Sequence, residues 1–136
     1  MKVFLDTNIP MYAAGKEHPL KSSCLEILES VAEGKLTACT DSEVFQEILY
    51  RFFHIKQPAL GYRVFDLFAM VMHGSVYPVS YGDVSLARQF SESGNYPGLS
   101  PRDLIHLAVM LNNNIRHIIT ADRSFEHIQG IRVIRP

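Results

Sequence analysis

Short apolar runs and longer helical stripes succeed one another along this chain. Lys2 to Leu5 is a short, mostly apolar run with a β-branched and an aromatic member, and Asp6-Thr7-Asn8 and Pro10 follow at once. That succession predicts a strand, a tight turn and a helix, because proline suits the first helical turn. From about Pro19 to Glu33, the residues Leu20, Cys24, Ile27, Leu28, Val31 and Ala32 recur at three- and four-residue intervals, and Gly34 follows as a stop. This is the pattern of an amphipathic helix. Leu36 to Thr40 reads as a second strand, and Asp41 to Ile55 resumes helical spacing through Val44, Ile48, Leu49 and Phe52. Thr40 and Glu43 are spaced for a capping box at the start of that helix. Pro58 opens a helix running to about Met72, closed by Gly74. Val76 to Ser80 reads as strand three, Asp83 to Ser93 as a helix, and Asn95 to Ser100 as a loop with Gly and Pro. A helix from Pro101 through Asn112, a strand over His117 to Ala121, a helical turn over Arg123 to His127 and a strand over Ile131 to Ile134 complete the chain.

Strands that alternate with helices at these intervals imply crossover units and a mostly parallel sheet covered on both faces. There is no internal repeat, low-complexity tract or linker, and 136 residues that are 47% hydrophobic suffice for one core. A single domain over residues 1–136 is therefore expected. The helical pair between strands two and three is longer than one crossover needs, so part of it is expected to protrude or to pack against a partner.

Charge adds little to this picture. The formal net charge is −1, with 13 Lys and Arg spread along the chain, so bulk electrostatics does not mark a nucleic-acid binder. Phosphates would have to be held locally, by metal ions and a few basic side chains. Cys24 and Cys39 fall on a helix and a buried strand, without the second pair that a zinc site or a disulfide framework needs. The longest apolar run, Leu67 to Met72, is too short to span a bilayer, and no export signal is evident. A reducing cytoplasm and no membrane association are the expectation.

Chemistry enters through four carboxylates. Asp6 ends the first strand and Asp122 the fourth, and ligands of open parallel sheets bind beyond the carboxyl ends of strands. Either acid alone could simply cap a turn. Asp103 follows Ser100-Pro101-Arg102 and could form a capping box with Ser100, yet its place in a first helical turn also favours an ionised carboxylate ready for a cation. Glu43 and Glu47 lie one turn apart on one helix. Glu43 has a capping role available, whereas Glu47, beside apolar Val44, Ile48 and Leu49, borders a buried stripe and is assigned to the site. Four carboxylates from four segments, three of them at element ends on one side of the sheet, are hard to read as four independent caps. Two such charges about 5 Å apart repel by roughly 3 kcal/mol at an effective dielectric of ~20, so convergence calls for a cation. Oxygen-only ligands select a hard ion, Mg²⁺ or Mn²⁺, and such a site suits phosphodiester hydrolysis.

The set Phe4-Leu5-Asp6-Thr7-Asn8, Ser42-Glu43-Val44-Phe45-Gln46-Glu47, Ser100-Pro101-Arg102-Asp103-Leu104-Ile105-His106 and Ile119-Thr120-Ala121-Asp122-Arg123-Ser124-Phe125 resembles the PIN-domain nucleases, and among them the VapC-type toxins of toxin–antitoxin pairs. The resemblance spans nearly the whole chain. It implies a three-layer α/β/α sandwich with a five-stranded sheet ordered 3-2-1-4-5, and Mg²⁺-dependent cleavage of RNA. It further implies that Asp6, Glu47, Asp103 and Asp122 correspond to the family's acidic quartet, with Asn8 and Thr120 supporting the site from its edge. Homodimers and a small antitoxin lying over the catalytic groove are implied partners. Ser124 departs from the acid or Gly often found at its position, at the pocket's edge.

Arg102 and Arg123 each adjoin a site carboxylate and are the candidates for phosphate contacts. His106, one turn from Asp103, reads as a helix-face histidine bonded to backbone or solvent, because a hard oxygen site does not need it. His54, His73, His117 and His127 lack ligand spacing. Three competing readings are a housekeeping RNA-processing nuclease of the same family, a non-catalytic RNA- or peptide-binding module using the same groove, and phosphoryl transfer through Asp6. The last resembles the haloacid-dehalogenase phosphatases, which need a second Asp where this chain has Asn8.

Overall fold

The computed structural model describes residues 1–136 and is built around one short, wholly buried strand. That strand, β1 (Val3–Leu5), pairs in parallel with β2 (Ala38–Asp41) on one side and β4 (His117–Ile119) on the other, Val3 lying opposite both Ala38 and His117. β3 (Val76–Tyr77) joins β2 and β5 (Arg132–Ile134) joins β4, again in parallel. The order is β3-β2-β1-β4-β5, as the resemblance implies. Val3, Phe4 and Leu5 are all fully buried, so both faces of the sheet centre are covered, as parallel crossovers require.

Six helices form the outer layers of this α/β/α fold: α1 (Asn8–Ala14), α2 (Lys21–Ala32), α3 (Ser42–His54), α4 (Pro58–Val71), α5 (Tyr81–Ser93) and α6 (Pro101–Asn112). The main core gathers Phe4, Leu5, Ile9, Leu28, Ile48, Phe68, Met110 and Phe125, and a smaller cluster of Ala87, Leu104 and Ala108 joins α5 to α6. Cys24 and Cys39 are buried and free, and burial pushes their thiols up to about 11 and about 12. No helix is long and apolar enough to cross a membrane.

The boundaries differ from the sequence reading where polar side chains decide them. β3 stops at Tyr77, not Ser80, because Pro78 has no N–H for the ladder, the Val79 N–H donates to Ser42 Oγ (3.0 Å), and Ser80 caps α5. The capping box expected of Thr40 and Glu43 does not form. Thr40 is still in β2, and its hydroxyl donates to the Leu5 carbonyl of β1 at 3.0 Å. Asp41 takes the cap instead, accepting from the Val44 N–H at 3.0 Å. The expected box at Ser100/Asp103 is complete, and a second one, which the sequence reading does not name, forms one helix earlier at Ser80/Asp83.

The α3–α4 pair packs closely because Gly61 lies against Phe52. Around its tip Tyr50, Phe53, Ile55 and Tyr62 are about half exposed.

Candidate active site

A cleft of about 550 Å³ opens beyond the carboxyl ends of β1 and β4, and Asp6, Glu47, Asp103 and Asp122 all line it. Asp6 leaves β1 at the cleft floor and is buried. Its carboxylate is fixed from three directions: Thr7 N–H donates to Oδ1 (2.7 Å), and Thr120 Oγ1 (2.7 Å) and Asn8 Nδ2 (3.3 Å) donate to Oδ2. Asn8 also donates to Thr120 Oγ1 (3.1 Å) and accepts from the Ala121 N–H (3.1 Å). These bonds tie the turn after β1 to the turn after β4.

The other acids come from separate elements. Glu47 projects from α3, accepts from Thr7 Oγ1 at 3.0 Å and lies 3.8 Å from Arg51 Nη2. Asp103 accepts from the Ser100 N–H at 3.0 Å within its capping box. Asp122 caps the 3₁₀ turn Arg123–Phe125, accepting from the Ser124 N–H at 2.9 Å. Capping and cleft-lining are thus combined in Asp103 and Asp122. Glu43 does not line the cleft; it pairs with Arg102 at 3.6 Å.

Electrostatics at the cleft is that of crowded acids. Burial pushes the Asp6 carboxyl up, and Asp103 adds to the rise, while His106 and the bonds from Thr120 and Thr7 oppose it. Asp103 is likewise raised by burial and by Asp122, against its Ser100 bonds. Burial alone would raise Glu47 too, but His106, Thr7 and Arg51 more than offset it and hold the group below its ordinary value. A cation in the cleft would favour the ionised forms of Asp6 and Asp103.

The donors, all carboxylate oxygens, fit a hard divalent cation in kind. The four acids share the cleft lining, and as they stand no three His, Cys, Asp or Glu side chains are grouped closely enough to hold a metal ion together. Asp6, Asp103 and Asp122 each also accept from a backbone N–H of their own turn.

Of the two arginines chosen from sequence, Arg102 lines the cleft, its guanidinium 4.3 Å from the centre of the Tyr50 ring. Arg123 does not; it is exposed on the 3₁₀ turn outside the cleft. Arg51, one turn after Glu47 and also in the cleft lining, was not singled out by the sequence, although the four-residue spacing puts it on the same helical face. His106 is neither solvent- nor backbone-bonded as expected. It is fully buried, with Nδ1 2.7 Å from Asp41 Oδ2. α6 is buried nearly all round, through Leu104, Leu107, Ala108, Val109 and Met110, so no open face remained for a histidine.

The PIN domain family model matches residues 3–131. This chain belongs to the PIN-domain family. Among curated relatives, this PIN domain is 37% identical over 130 residues to ribonuclease VapC13 of Mycobacterium tuberculosis, covering 96% of this chain and 97% of the relative. It is 32% identical over 122 residues to ribonuclease VapC23 of the same species, covering 90% and 94%. Among solved structures it resembles VapBC2 of Rickettsia felis, bound to a DNA fragment from its promoter, with a TM-score of 0.75 at 20% identity over 99% and 98% of the two chains. A second likeness is to VapC20 of M. tuberculosis, a sarcin-ricin-loop-cleaving toxin, with a TM-score of 0.71 at 15% identity over 96% and 98%. These structures establish the shared fold.

Proposed function

We propose that this PIN domain is a divalent-metal-dependent ribonuclease that hydrolyses RNA phosphodiester bonds, and that it is the toxin of a VapBC-type pair. The observation that carries this reading is the meeting of Asp6, Glu47, Asp103 and Asp122 in one cleft together with Arg51 and Arg102. Two relatives at 37% and 32% identity named as VapC ribonucleases support it.

In this reading Asp6 and Asp103 are the principal holders of Mg²⁺ or Mn²⁺, with Glu47 and Asp122 completing the acidic lining. When bound, the ion supplies positive charge where the phosphoryl group gains negative charge, together with activation of water. The residues of the chain do the rest. Thr120 and Asn8 fix the Asp6 carboxylate, Thr7 steers Glu47, and Arg51 and Arg102 grip the phosphates that flank the cut. Because the net charge is only −1, RNA affinity depends on these local contacts. An antitoxin is the expected protein partner, and the exposed Tyr50, Phe53, Ile55 and Tyr62 around the tip of the α3–α4 pair offer it an apolar surface. Dimerisation and a cytoplasmic location belong to the same reading.

The test is incubation of the purified protein with total RNA and Mg²⁺, followed by mapping of the new ends. Discrete cuts that vanish with a chelator, and in Asp6→Asn and Asp103→Asn, are expected. Undiminished cleavage by both variants, or RNA binding with no cut in any sequence offered, would overturn the assignment in favour of an unrelated centre or a binding module.

A further inference from the structure

Directly behind Glu47 lies a polar pair for which the proposed chemistry has no use. Asp41, the last residue of β2, and His106, in the second turn of α6, are both fully buried. Asp41 Oδ1 is committed to capping α3 through the Val44 N–H, and Oδ2 stands 2.7 Å from His106 Nδ1. A carboxylate only accepts, so Nδ1 carries the proton of that bond. Phe4 of β1 packs on the ring at 5.4 Å between centroids. Cap, carboxylate and aromatic neighbour together leave the imidazole one orientation.

That orientation aims Nε2 at the cleft wall. The atom is buried and has no hydrogen-bond partner, and Glu47 Oε1 lies 3.7 Å away. A buried polar atom left unpaired is costly, and an approach of roughly half an ångström by the Glu47 side chain brings the two within bonding distance.

We propose that the Asp41–His106 pair is a buried support for Glu47, in which His106 Nε2–H donates to Glu47 Oε1 and fixes where that carboxylate sits in the cleft. The proposal rests on the reading of Glu47 as part of the ribonuclease centre. His106 is a positioning residue here, because it acts only through Glu47. Oε1 then receives both Thr7 Oγ1 and His106, and Oε2, 3.8 Å from Arg51 Nη2, is left to face the cleft. With a carboxylate at each nitrogen the ring holds two protons, and its buried charge is paired on both sides.

Two measurements test the support. In metal-free protein labelled with ¹⁵N-histidine, both ring nitrogens of His106 are expected to be protonated, and Glu47→Gln is expected to move the Nε2 signal while leaving Nδ1 in place. An unprotonated Nε2, or signals indifferent to Glu47→Gln, would overturn the proposal. In RNA cleavage, His106→Gln, whose amide cannot reach both carboxylates, is expected to lower kcat by about 10–100-fold with KM nearly unchanged, and to cost nothing further in a Glu47→Gln background. An equal loss in both backgrounds would show that His106 does not act through Glu47. Should His106→Gln fail to fold, Asp41→Asn, which keeps the shape of the cap, carries the same cycle. If the wild-type protein cuts no RNA, the proposed function falls, while the NMR experiment still decides the His106–Glu47 contact.

Discussion

The Thr120 hydroxyl donates to Asp6 Oδ2 at 2.7 Å although 114 residues separate the two in the chain. The same oxygen accepts from Asn8 Nδ2 at 3.1 Å and from the Asp122 N–H at 2.9 Å. One small side chain after β4 therefore sets the positions of two cleft acids. Thr120→Val keeps the shape and removes the hydroxyl. It is expected to destabilise the fold by about 1–3 kcal/mol, as for a buried hydrogen bond to a charged group, and to lower RNA cleavage by about 10–100-fold. Denaturant unfolding and cleavage assays on the same preparation check both.

Arg51 and Arg102 line the cleft and Arg123 does not. Arg51→Ala and Arg102→Ala are each expected to weaken RNA binding across all sequences and to reduce the slope of log K against log salt by about 0.7, the value of one single-strand phosphate contact. Arg123→Ala is expected to leave both quantities unchanged. Binding isotherms over a salt series, run with a chelator present to prevent cutting, separate the three.

A Cβ at Gly61 would stand 2.6 Å from Phe52 Cβ, closer than real side-chain carbons approach. Because Phe52 is buried in the core, α3 and α4 would have to part to relieve the contact. Gly61→Ala is expected to cost about 1–3 kcal/mol, the usual range for overpacking, and to appear as a lower Tm.

Asp83 offers a pH-dependent case away from the cleft. Its burial works to raise the carboxyl, but the Ser80 N–H, Asn112 and the Ser80 hydroxyl more than offset it, so the folded-state value lies below the ordinary 3.8. A carboxylate depressed on folding stabilises the protein above its unfolded value, and that contribution is lost as pH falls through the folded one. The stability gap between wild type and Asp83→Asn is therefore expected to be full at neutral pH and to shrink steadily below about pH 4. A gap that widens in acid would contradict the account.

The order of elements was legible because it rests on periodicity and on proline and glycine punctuation, whereas the sheet order followed only from the resemblance to the PIN-domain family. The α6 boundaries, Pro101 to Asn112, match the reading residue for residue, since Ser100, Pro101 and Asp103 state the start in three independent ways. What failed were choices among polar side chains whose partners lie far off in sequence. Thr40 has the right spacing to cap α3, yet its hydroxyl crosses to Leu5 of β1, and Asp41 caps instead. His106 sits among apolar residues, and nothing local discloses that Asp41, 65 residues earlier, will bond to it. For the cleft, Asp6, Asp103 and Asp122 could be placed at one edge from element ends, and Glu47 from its position beside a buried apolar stripe. Arg51 could have been found from its four-residue spacing to Glu47 on α3, whereas the place of Arg123 depends on which way a short 3₁₀ turn faces, and local spacing carries no information about that.

The sharpest measurement is anomalous scattering from crystals of the protein grown with Mn²⁺. The expected result is a manganese peak in the cleft, bonded to carboxylate oxygens of both Asp6 and Asp103 and absent from crystals of Asp103→Asn grown the same way. A cleft that stays free of manganese, or one that binds it without Asp6, would contradict the claim that these distant acids form one cation-holding centre.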